Sequence, residues 1–216
     1  MASLLGQSPD TVRGHFDELF GNKELEQHFR SHGVFTSTTE TLRDVVARRV
    51  VWFAIARIVK PKIILETGVE KGVGACVLCA ALKLNSKEGN PGKYFGTEID
   101  PRGGSLIAGP YADVGTVLIG DSIVSIKNFD NQVDLFINDS DHDEQYEAQE
   151  YVEIYPKLSQ YATILGDNSH SSGALREWSH SRGRPFFFLD EKPSGHWYPG
   201  AGVGISLPSI PLAKSH

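Results

Sequence analysis

The sequence predicts an α/β fold, in which helices cover both faces of a mostly parallel sheet. Short apolar runs alternate with helical segments, and continuous apolar strands are typical of parallel strands that are buried on both faces. The composition agrees, since 40% of the 216 residues are hydrophobic and 22% are charged, as in an ordinary globular protein. A single domain over residues 1–216 is expected, because this length suffices for one sizeable core.

The first 60 residues predict a helical cap or lid region. Between residues 42 and 58, apolar side chains recur on one helical face, which indicates a single long helix. Ser37 and Glu40 precede it with the spacing of a capping box, and Pro61 ends it because proline has no backbone N–H. One or two short helices are expected around residues 12–20 and 24–29.

Residues 61–207 predict the core of the domain. Seven short apolar runs have the length and composition of strands, and helical segments lie between several of them. The expected strands are KIILETG, KYFGTEID, TVLIGDS, VDLFIND, YATILGDN, RPFFFLDE and GAGVGISL, and the expected helices are GACVLCAALKL and residues 145–158 and 175–181.

The charge pattern argues against several classes of protein. The 21 Lys and Arg and the 27 Asp and Glu give a net charge of −6, and no basic stripe predicts a nucleic-acid partner. The N-terminus lacks the cationic and apolar segments of a signal peptide. The most apolar helical stretch, residues 45–59, contains three arginines, which disfavours a membrane span. A cytoplasmic protein without a membrane partner is therefore expected.

Cys76 and Cys79 form a C-x-x-C pair after the first strand, a spacing that is found in redox sites. The pair lies within an apolar helical segment and has no flanking Pro or Trp. Free cysteines in such surroundings usually pack as small hydrophobic side chains, so a structural role is expected.

Acidic residues follow each of the first five predicted strands. Ligands of open α/β sheets bind outside the carboxyl ends of the strands, so these acids are expected to converge on one site. Such an edge suits a metal cation, or a ligand with positive charge or many hydrogen-bond donors. The acids are Glu66, Glu98, Asp100, Asp121, Asp139 and Asp167.

The loop after the first strand, ETGVEKGVG, is rich in glycine. Gly68 and Gly72 allow the backbone to approach a ligand closely, although a tight strand-to-helix turn explains them equally well. The spacing of Gly68, Gly72 and Gly74 is not the G-x-G-x-x-G fingerprint of dinucleotide-binding proteins. Glu98, at the end of the next strand, is placed to accept hydrogen bonds from both ribose hydroxyls of a nucleoside.

Taken in order, five motifs resemble those of class I S-adenosylmethionine-dependent methyltransferases: ILETGVEKGVGA, YFGTEID, LIGDS, VDLFINDSDH and ATILGDN. The resemblance spans residues 60–207 and is greatest to the metal-dependent O-methyltransferases of the catechol and macrolide-sugar types. It implies a Rossmann-like, doubly wound sheet of seven strands, mostly parallel with an antiparallel last strand. It also implies S-adenosyl-L-methionine as the cofactor, together with Mg²⁺ or another divalent cation.

The resemblance assigns residues to the cofactor and to the metal. An acid after the fourth strand and an Asp-Asn pair after the fifth correspond to the metal ligands of these relatives. The implied cofactor-binding residues are Glu66, Gly68 and Gly72 beside the methionine part, Glu98 on the ribose, Asp121 with Ser122 near the adenine, and Asp139; the implied metal ligands are Asp139, Asp167 and Asn168.

The segment NDSDHDEQYEAQE, which begins at residue 138, has three interpretations. A calcium-binding loop is disfavoured because Glu144 stands where that loop needs glycine, and because a strand rather than a helix precedes it. A helix N-terminus accounts for Asp143 and Glu144, since acids there interact favourably with the helix dipole. A metal site accounts best for Asp139, which directly follows the strand.

Oxygen atoms of Asp139, Asp167 and Asn168 suit one hard cation such as Mg²⁺, because neighbouring parallel strands lie about 4.8 Å apart. Asp141 is equally near, so either Asp139 or Asp141 is the expected ligand. His142 is the candidate catalytic residue, a general base for an acceptor hydroxyl. A His at this spacing has that role in the sugar-methylating relatives.

These features predict a Mg²⁺-dependent O-methyltransferase that acts on a hydroxylated small molecule, such as a catechol, a phenol or a sugar diol. One alternative is a non-catalytic or differently reacting member of the fold, such as a metal-dependent hydroxylase. Another is an NAD-dependent dehydrogenase, which is disfavoured because this sequence has neither the glycine spacing nor the Tyr-x-x-x-Lys relay of such enzymes. A homodimer is compatible with the sequence, but no pattern predicts one. Candidates for the acceptor pocket are Phe16, Phe20, Phe29, Phe35, Trp178, Trp197 and Tyr198, with His170 and His196 as secondary candidates.

Overall fold

The computed structural model describes residues 1–141, 143–167, 169–191 and 201–209. Seven strands form one sheet: β1 (Ile63–Thr67), β2 (Lys93–Glu98), β3 (Gly115–Ile119), β4 (Val133–Asn138), β5 (Leu158–Gly166), β6 (Phe186–Glu191) and β7 (Ala201–Ser206). Their order is β3-β2-β1-β4-β5-β7-β6. β1 to β5 are parallel, and β7 is antiparallel to β5 and β6. The predicted doubly wound sheet with an antiparallel last strand is confirmed.

Helices lie before the sheet and on both of its faces. None of those in the described part of the chain combines the length and the apolar character that crossing a membrane requires. The helices are α1 (Pro9–Phe20), α2 (Lys23–Ser31), α3 (Leu42–Val46), α4 (Arg49–Val59), α5 (Val73–Lys87), α6 (Ser122–Lys127), α7 (Glu144–Ile154) and α8 (Ala174–Ser181), with short 3₁₀ turns at Ala2–Leu5, Gly109–Tyr111 and Tyr155–Lys157.

The single long helix predicted in the N-terminal region is two helices, α3 and α4. The chain breaks at Ala47, whose φ of 46° and ψ of −132° are incompatible with a continuing helix. The helix begins after Thr41, whose backbone N–H and hydroxyl both donate to the Asp44 carboxylate at 2.8 Å. The capping box predicted at Ser37 and Glu40 is wrong, because Glu40 accepts from the Ser37 N–H within a turn that precedes the helix.

Two further differences from the sequence-based expectations concern short elements. Helix α6 has only six residues, and its cap, Asp121, is the acid that the sequence places at the end of the third strand. The helix predicted at residues 145–158 ends at Ile154, and β5 begins at Leu158 after a 3₁₀ turn that contains Pro156. Proline cannot continue the hydrogen-bonded pattern of a helix, which explains the early end.

The hydrophobic core lies on both faces of the sheet. One cluster joins the N-terminal helices, α4 and α5 to the sheet, and includes Leu19, Leu25, Phe29, Trp52 and Leu135. The other joins α6, α7 and α8 to the opposite face, and includes Ile126, Phe136, Tyr151, Ile164 and Trp178.

Cys76 and Cys79 are buried in α5 within the first cluster. Burial raises the pKa of both thiols. The thiolate that redox chemistry requires is therefore disfavoured, which agrees with the structural role expected from the sequence.

Candidate active site

The carboxyl ends of β1, β2 and β4 meet at the centre of one edge of the sheet. β1 pairs with β2 on one side and with β4 on the other, so the strand order reverses at this point. In open α/β sheets, the crevice at such a reversal is where ligands bind. The acids at the carboxyl ends of β1, β2, β4 and β5 all lie at this edge.

Gly68 brings the loop after β1 into contact with the chain that follows β4. Its φ is +80°, and a Cβ atom at this position would lie 2.1 Å from the backbone oxygen of Asp139. Its N–H donates to the carbonyl of Thr97 at 3.0 Å, which fixes the loop to the end of β2. Gly72, with a φ of +101°, caps α5. Any larger residue at position 68 would separate the two loops that border the crevice.

Glu98 is held at the end of β2 with its side chain half-buried. Its two carboxylate oxygens accept hydrogen bonds from the backbone N–H groups of Glu70 at 2.7 Å and of Asp100 at 2.9 Å. These contacts fix the direction of the carboxylate. Each oxygen has a further lone pair, which suits a ligand with two adjacent hydroxyls.

Asp121 and Ser122 lie at the end of β3, where they start α6. One oxygen of Asp121 accepts from the Val124 N–H at 2.8 Å, and the other accepts from the Tyr146 hydroxyl at 2.9 Å. The Ser122 and Tyr146 hydroxyls are also 2.9 Å apart. Tyr146 therefore ties this pair to α7. No sequence pattern singles it out, because a tyrosine in the first turn of a helix is an ordinary surface residue.

Glu150 is a buried carboxyl on α7 that joins four elements. It accepts hydrogen bonds from Thr67 at 3.2 Å and Ser140 at 2.8 Å, and from the side chains of Ser122 and Asn138. Burial raises its pKa, while these hydrogen bonds oppose the rise. Sequence reasoning missed this role, since a glutamate within a helix usually faces solvent.

Glu66 is buried at the end of β1. Its carboxyl accepts a hydrogen bond from the Tyr94 hydroxyl at 2.7 Å. Burial raises the pKa of Glu66 to about 7, with the nearby Asp167 adding to the rise and Tyr94 and Arg49 opposing it.

Asp139 and Asp167 lie side by side at the ends of β4 and β5. The backbone N–H of Asp139 donates to Thr67 at 3.0 Å, and that of Asp167 donates to Asn138 at 2.9 Å. The side chain of Asp167 is fully buried, and that of Asp139 is 15% exposed. Burial raises the pKa of Asp139, and the nearby charges of Asp167 and Glu66 add to the rise.

Two arginines from the N-terminal region reach these acids. Arg48 binds Asp167 through two hydrogen bonds, Nε to Oδ1 at 2.6 Å and Nη2 to Oδ2. The Nη2 atom of Arg49 lies 4.0 Å from Oδ2 of Asp139, and its guanidinium lies over the Trp52 ring at 5.4 Å. Sequence reasoning missed this pairing. The available signal was the presence of arginines in an apolar helix, because such charges need buried partners.

The described residues do not fit a divalent cation in this arrangement. Within the described ranges, no cluster of three His, Cys, Asp or Glu side chains could hold a metal ion. Both carboxylate oxygens of Asp167 are engaged by Arg48. Asp141 accepts from the Asp143 N–H and is exposed, while His142 and Asn168 lie outside the described residues.

The remaining candidates divide between the core and the surface. Phe29 and Trp178 are core residues. The guanidinium groups of Arg43 and Arg30 lie over the rings of Phe20 and Phe35, respectively. Phe16 is half-buried on α1. His170 lines a cavity of about 330 Å³ together with Ser169, Arg176 and Phe186. His196, Trp197 and Tyr198 lie outside the described residues.

Comparison with known proteins identifies the fold. A family model described as a methyltransferase domain matches residues 65–169, which begin in β1 and end just beyond β5. No curated protein matches the chain. The fold is that of the class I S-adenosylmethionine-dependent methyltransferases. The resemblance stated from the sequence motifs is confirmed.

Solved structures of low sequence identity share the whole architecture. An SAH-bound methyltransferase from Podospora anserina, PaMTH1, is 17% identical, with a TM-score of 0.57 over 94% of this chain and 89% of that one. An O-methyltransferase from Bacillus cereus in complex with SAH is 13% identical, with a TM-score of 0.58 over 95% and 94%. The O-methyltransferase TomG from Streptomyces achromogenes, in complex with SAM, is 12% identical, with a TM-score of 0.58 over 97% and 94%.

Proposed function

We propose that the protein is an S-adenosylmethionine-dependent O-methyltransferase that acts on a hydroxyl group of a small molecule. The observation that carries this proposal is the fixed carboxylate of Glu98 at the strand-order reversal, beside the loop of Gly68. Ile99, the next residue, is 76% exposed and offers an apolar surface for a base next to the carboxylate. The structural relatives whose names include O-methyltransferase support the same activity.

In this proposal, each part of the edge has a separate task. Glu98 accepts hydrogen bonds from the ribose hydroxyls, and Asp121 with Ser122 borders the adenine. Glu66, Gly68 and Gly72 border the methionine part. Because these groups are fixed by backbone contacts and by Glu150, they orient the reacting atoms with little reorganisation.

The chemistry is a direct methyl transfer. S-Adenosylmethionine, when bound, supplies a methyl group that its sulfonium already activates. The acceptor oxygen forms a bond to the methyl carbon, the carbon–sulfur bond breaks, and S-adenosylhomocysteine leaves. His142 remains the proposed base that takes the hydroxyl proton, and a catechol, a phenol or a sugar diol is the proposed acceptor. No step is assigned to Mg²⁺, because Arg48 engages the carboxylate on which the metal would depend.

Calorimetric titration of S-adenosylhomocysteine tests the cofactor site. We expect micromolar affinity for the full chain, and a loss of about 10- to 100-fold in Glu98→Gln, because a charged acceptor for two hydroxyls is removed. Asp100→Asn is the matched control, since Asp100 lies at the same strand end but pairs with Arg102. Its affinity should stay within about twofold of the wild type.

Two results would contradict the proposal. One is the absence of heat from the nucleoside with the folded wild-type chain. The other is an unchanged affinity in Glu98→Gln, which would place the cofactor away from the strand-order reversal.

A non-catalytic member of the fold is the second candidate. Arg48 occupies Asp167, a residue that a metal-dependent reaction would need as a ligand, and this contact favours the second candidate if the reaction requires a metal. Transfer of a labelled methyl group from S-adenosylmethionine to a panel of catechols and sugar diols distinguishes the two. Binding of the cofactor without transfer to any member of a broad panel would support the second candidate.

A further inference from the structure

The carboxylates that a divalent cation would need already have cationic partners from the protein. Arg48 binds both oxygens of the fully buried Asp167, in the side-on geometry that matches a planar guanidinium to a carboxylate. The Arg48 side chain is itself only 23% exposed. Removing one partner of such a buried pair leaves an uncompensated charge, so the contact is costly to break.

The second arginine lies near the other acids of this edge. Arg49 lies close to Asp139 and to Glu66, because a Cβ atom at Gly74 would meet both the Glu66 Oε1 at 3.0 Å and the Arg49 Nε at 3.3 Å. The Arg49 Nε atom is buried without a hydrogen-bond partner, so the group is held in place by packing beside Trp52. Together, the two guanidinium groups carry the same total charge as one divalent cation.

Both arginines directly follow the break between α3 and α4. The break at Ala47 makes Arg48 the N-cap of α4, and Arg48 itself keeps a helical backbone conformation, with φ −59° and ψ −16°. The break places a non-glycine residue at φ 46° and ψ −132°, a conformation that L-residues rarely adopt. Backbone strain of this kind tends to persist where a functional arrangement depends on it.

Arg48 also lines a cavity. This cavity, of about 190 Å³, lies between the start of α4 and the strands β6 and β7. Its apolar wall includes Val50, Leu189 and Val203. Arg48, which binds Asp167, is therefore one of the residues that line this cavity, together with the acids Asp190 and Glu191.

We infer that Arg48, supported by Arg49, takes the place of the divalent cation at the ends of β4 and β5, so that the site neither binds nor requires a divalent metal ion. The inference rests on the proposed methyl transfer for its meaning, but its test does not. A divalent cation at this position would have to displace Arg48 from Asp167, and it would meet repulsion from both guanidinium groups.

Titration with Mn²⁺ alone tests the inference, with free ion measured by electron paramagnetic resonance on chelator-treated full-length protein. We expect the wild type to bind no Mn²⁺ at this site below about 1 mM. Arg48→Ala exposes two adjacent carboxylates and should gain one site that is at least about tenfold tighter. The gain should disappear in the double variant Arg48→Ala with Asp167→Asn. Arg43→Ala is the matched control, because its guanidinium lies over Phe20, and it should behave as the wild type.

Arg48→Gln serves as a second variant, which keeps a hydrogen bond to Asp167 without the charge and should also gain the Mn²⁺ site. One tight Mn²⁺ site in the wild type that Asp167→Asn removes would overturn the inference. The absence of any gain in a folded Arg48→Ala or Arg48→Gln would also overturn it. S-Adenosylhomocysteine titrated into the same wild-type sample reports separately on the proposed function, so that the failure of one is distinguishable from the failure of the other.

Discussion

Glu66 is an example of a residue whose chemistry depends on its position in the fold. The sequence places an acid at the end of the first strand. In the structure this acid is buried, hydrogen-bonded to Tyr94 and close to Arg49. Burial disfavours the charged form, and this raises its pKa from 4.5 to about 7. At pH values between 4.5 and about 7, Glu66 is therefore protonated in the folded protein and ionised in the unfolded chain.

This linkage predicts the direction of the pH dependence of stability. The contribution of Glu66 is fully present below pH 4.5 and is lost as the pH rises through about 7. The loss is at most about 3 kcal/mol, which is the shift expressed as free energy. Glu66→Gln keeps an acceptor for Tyr94 but does not titrate. As the pH rises from 5 to 8, its free energy of unfolding should therefore increase by about this much relative to that of the wild type.

Urea unfolding at several pH values measures this difference. Glu177→Gln, an exposed substitution on α8, is the control and should leave the pH dependence unchanged. A constant difference between Glu66→Gln and the wild type across the range would show that Glu66 titrates normally.

At the residue scale, sequence reasoning finds groups that chain order places at strand ends. Glu66, Glu98, Asp139 and Asp167 follow apolar runs, so the rule for parallel sheets predicts that they share one edge. It cannot find Arg48, because its partner lies 119 residues away and only the folded chain brings the two together. The roles of the predicted acids toward a cofactor remain predictions.

At the scale of secondary structure elements, the break between α3 and α4 is the feature that most affects the site. Apolar periodicity continues through Ala47, since both helices bury a face against the same cluster, and the pattern alone therefore predicts one helix. The strands were easier to predict, because continuous apolar runs bounded by Gly, Pro and Asp have few alternatives. The short helix α6 was missed because six residues do not show a helical period.

The strain at Ala47 gives a prediction for this element. Glycine adopts positive φ without steric cost, so Ala47→Gly should raise the free energy of unfolding by about 1 kcal/mol. Ala148→Gly, at an ordinary helical position in α7, is the control and should lower it by about 1 kcal/mol. Denaturant unfolding measures both changes. Equal destabilisation by the two substitutions would indicate that Ala47 carries no strain.

At the scale of the whole molecule, the fold depends on pattern rather than on residue identity. Structures that are only 12 to 17% identical align over nearly the full length of the chain. In this chain the fold is defined by the order of the strands and by hydrophobic clusters on both faces of one sheet. That order places the loop of Gly68, the carboxylate of Glu98 and the Asp139–Asp167 pair at one edge of the sheet, where the strand order reverses. The central claim is that this edge holds the cofactor.

A crystal structure of the full chain with S-adenosylhomocysteine tests that claim most directly. We predict the nucleoside at the ends of β1 and β2, with both ribose hydroxyls within hydrogen-bond distance of the Glu98 carboxylate and the amino-acid part beside Gly68. A nucleoside bound at another surface, or a crevice at the strand-order reversal that stays free of it at saturating concentration, would contradict the account.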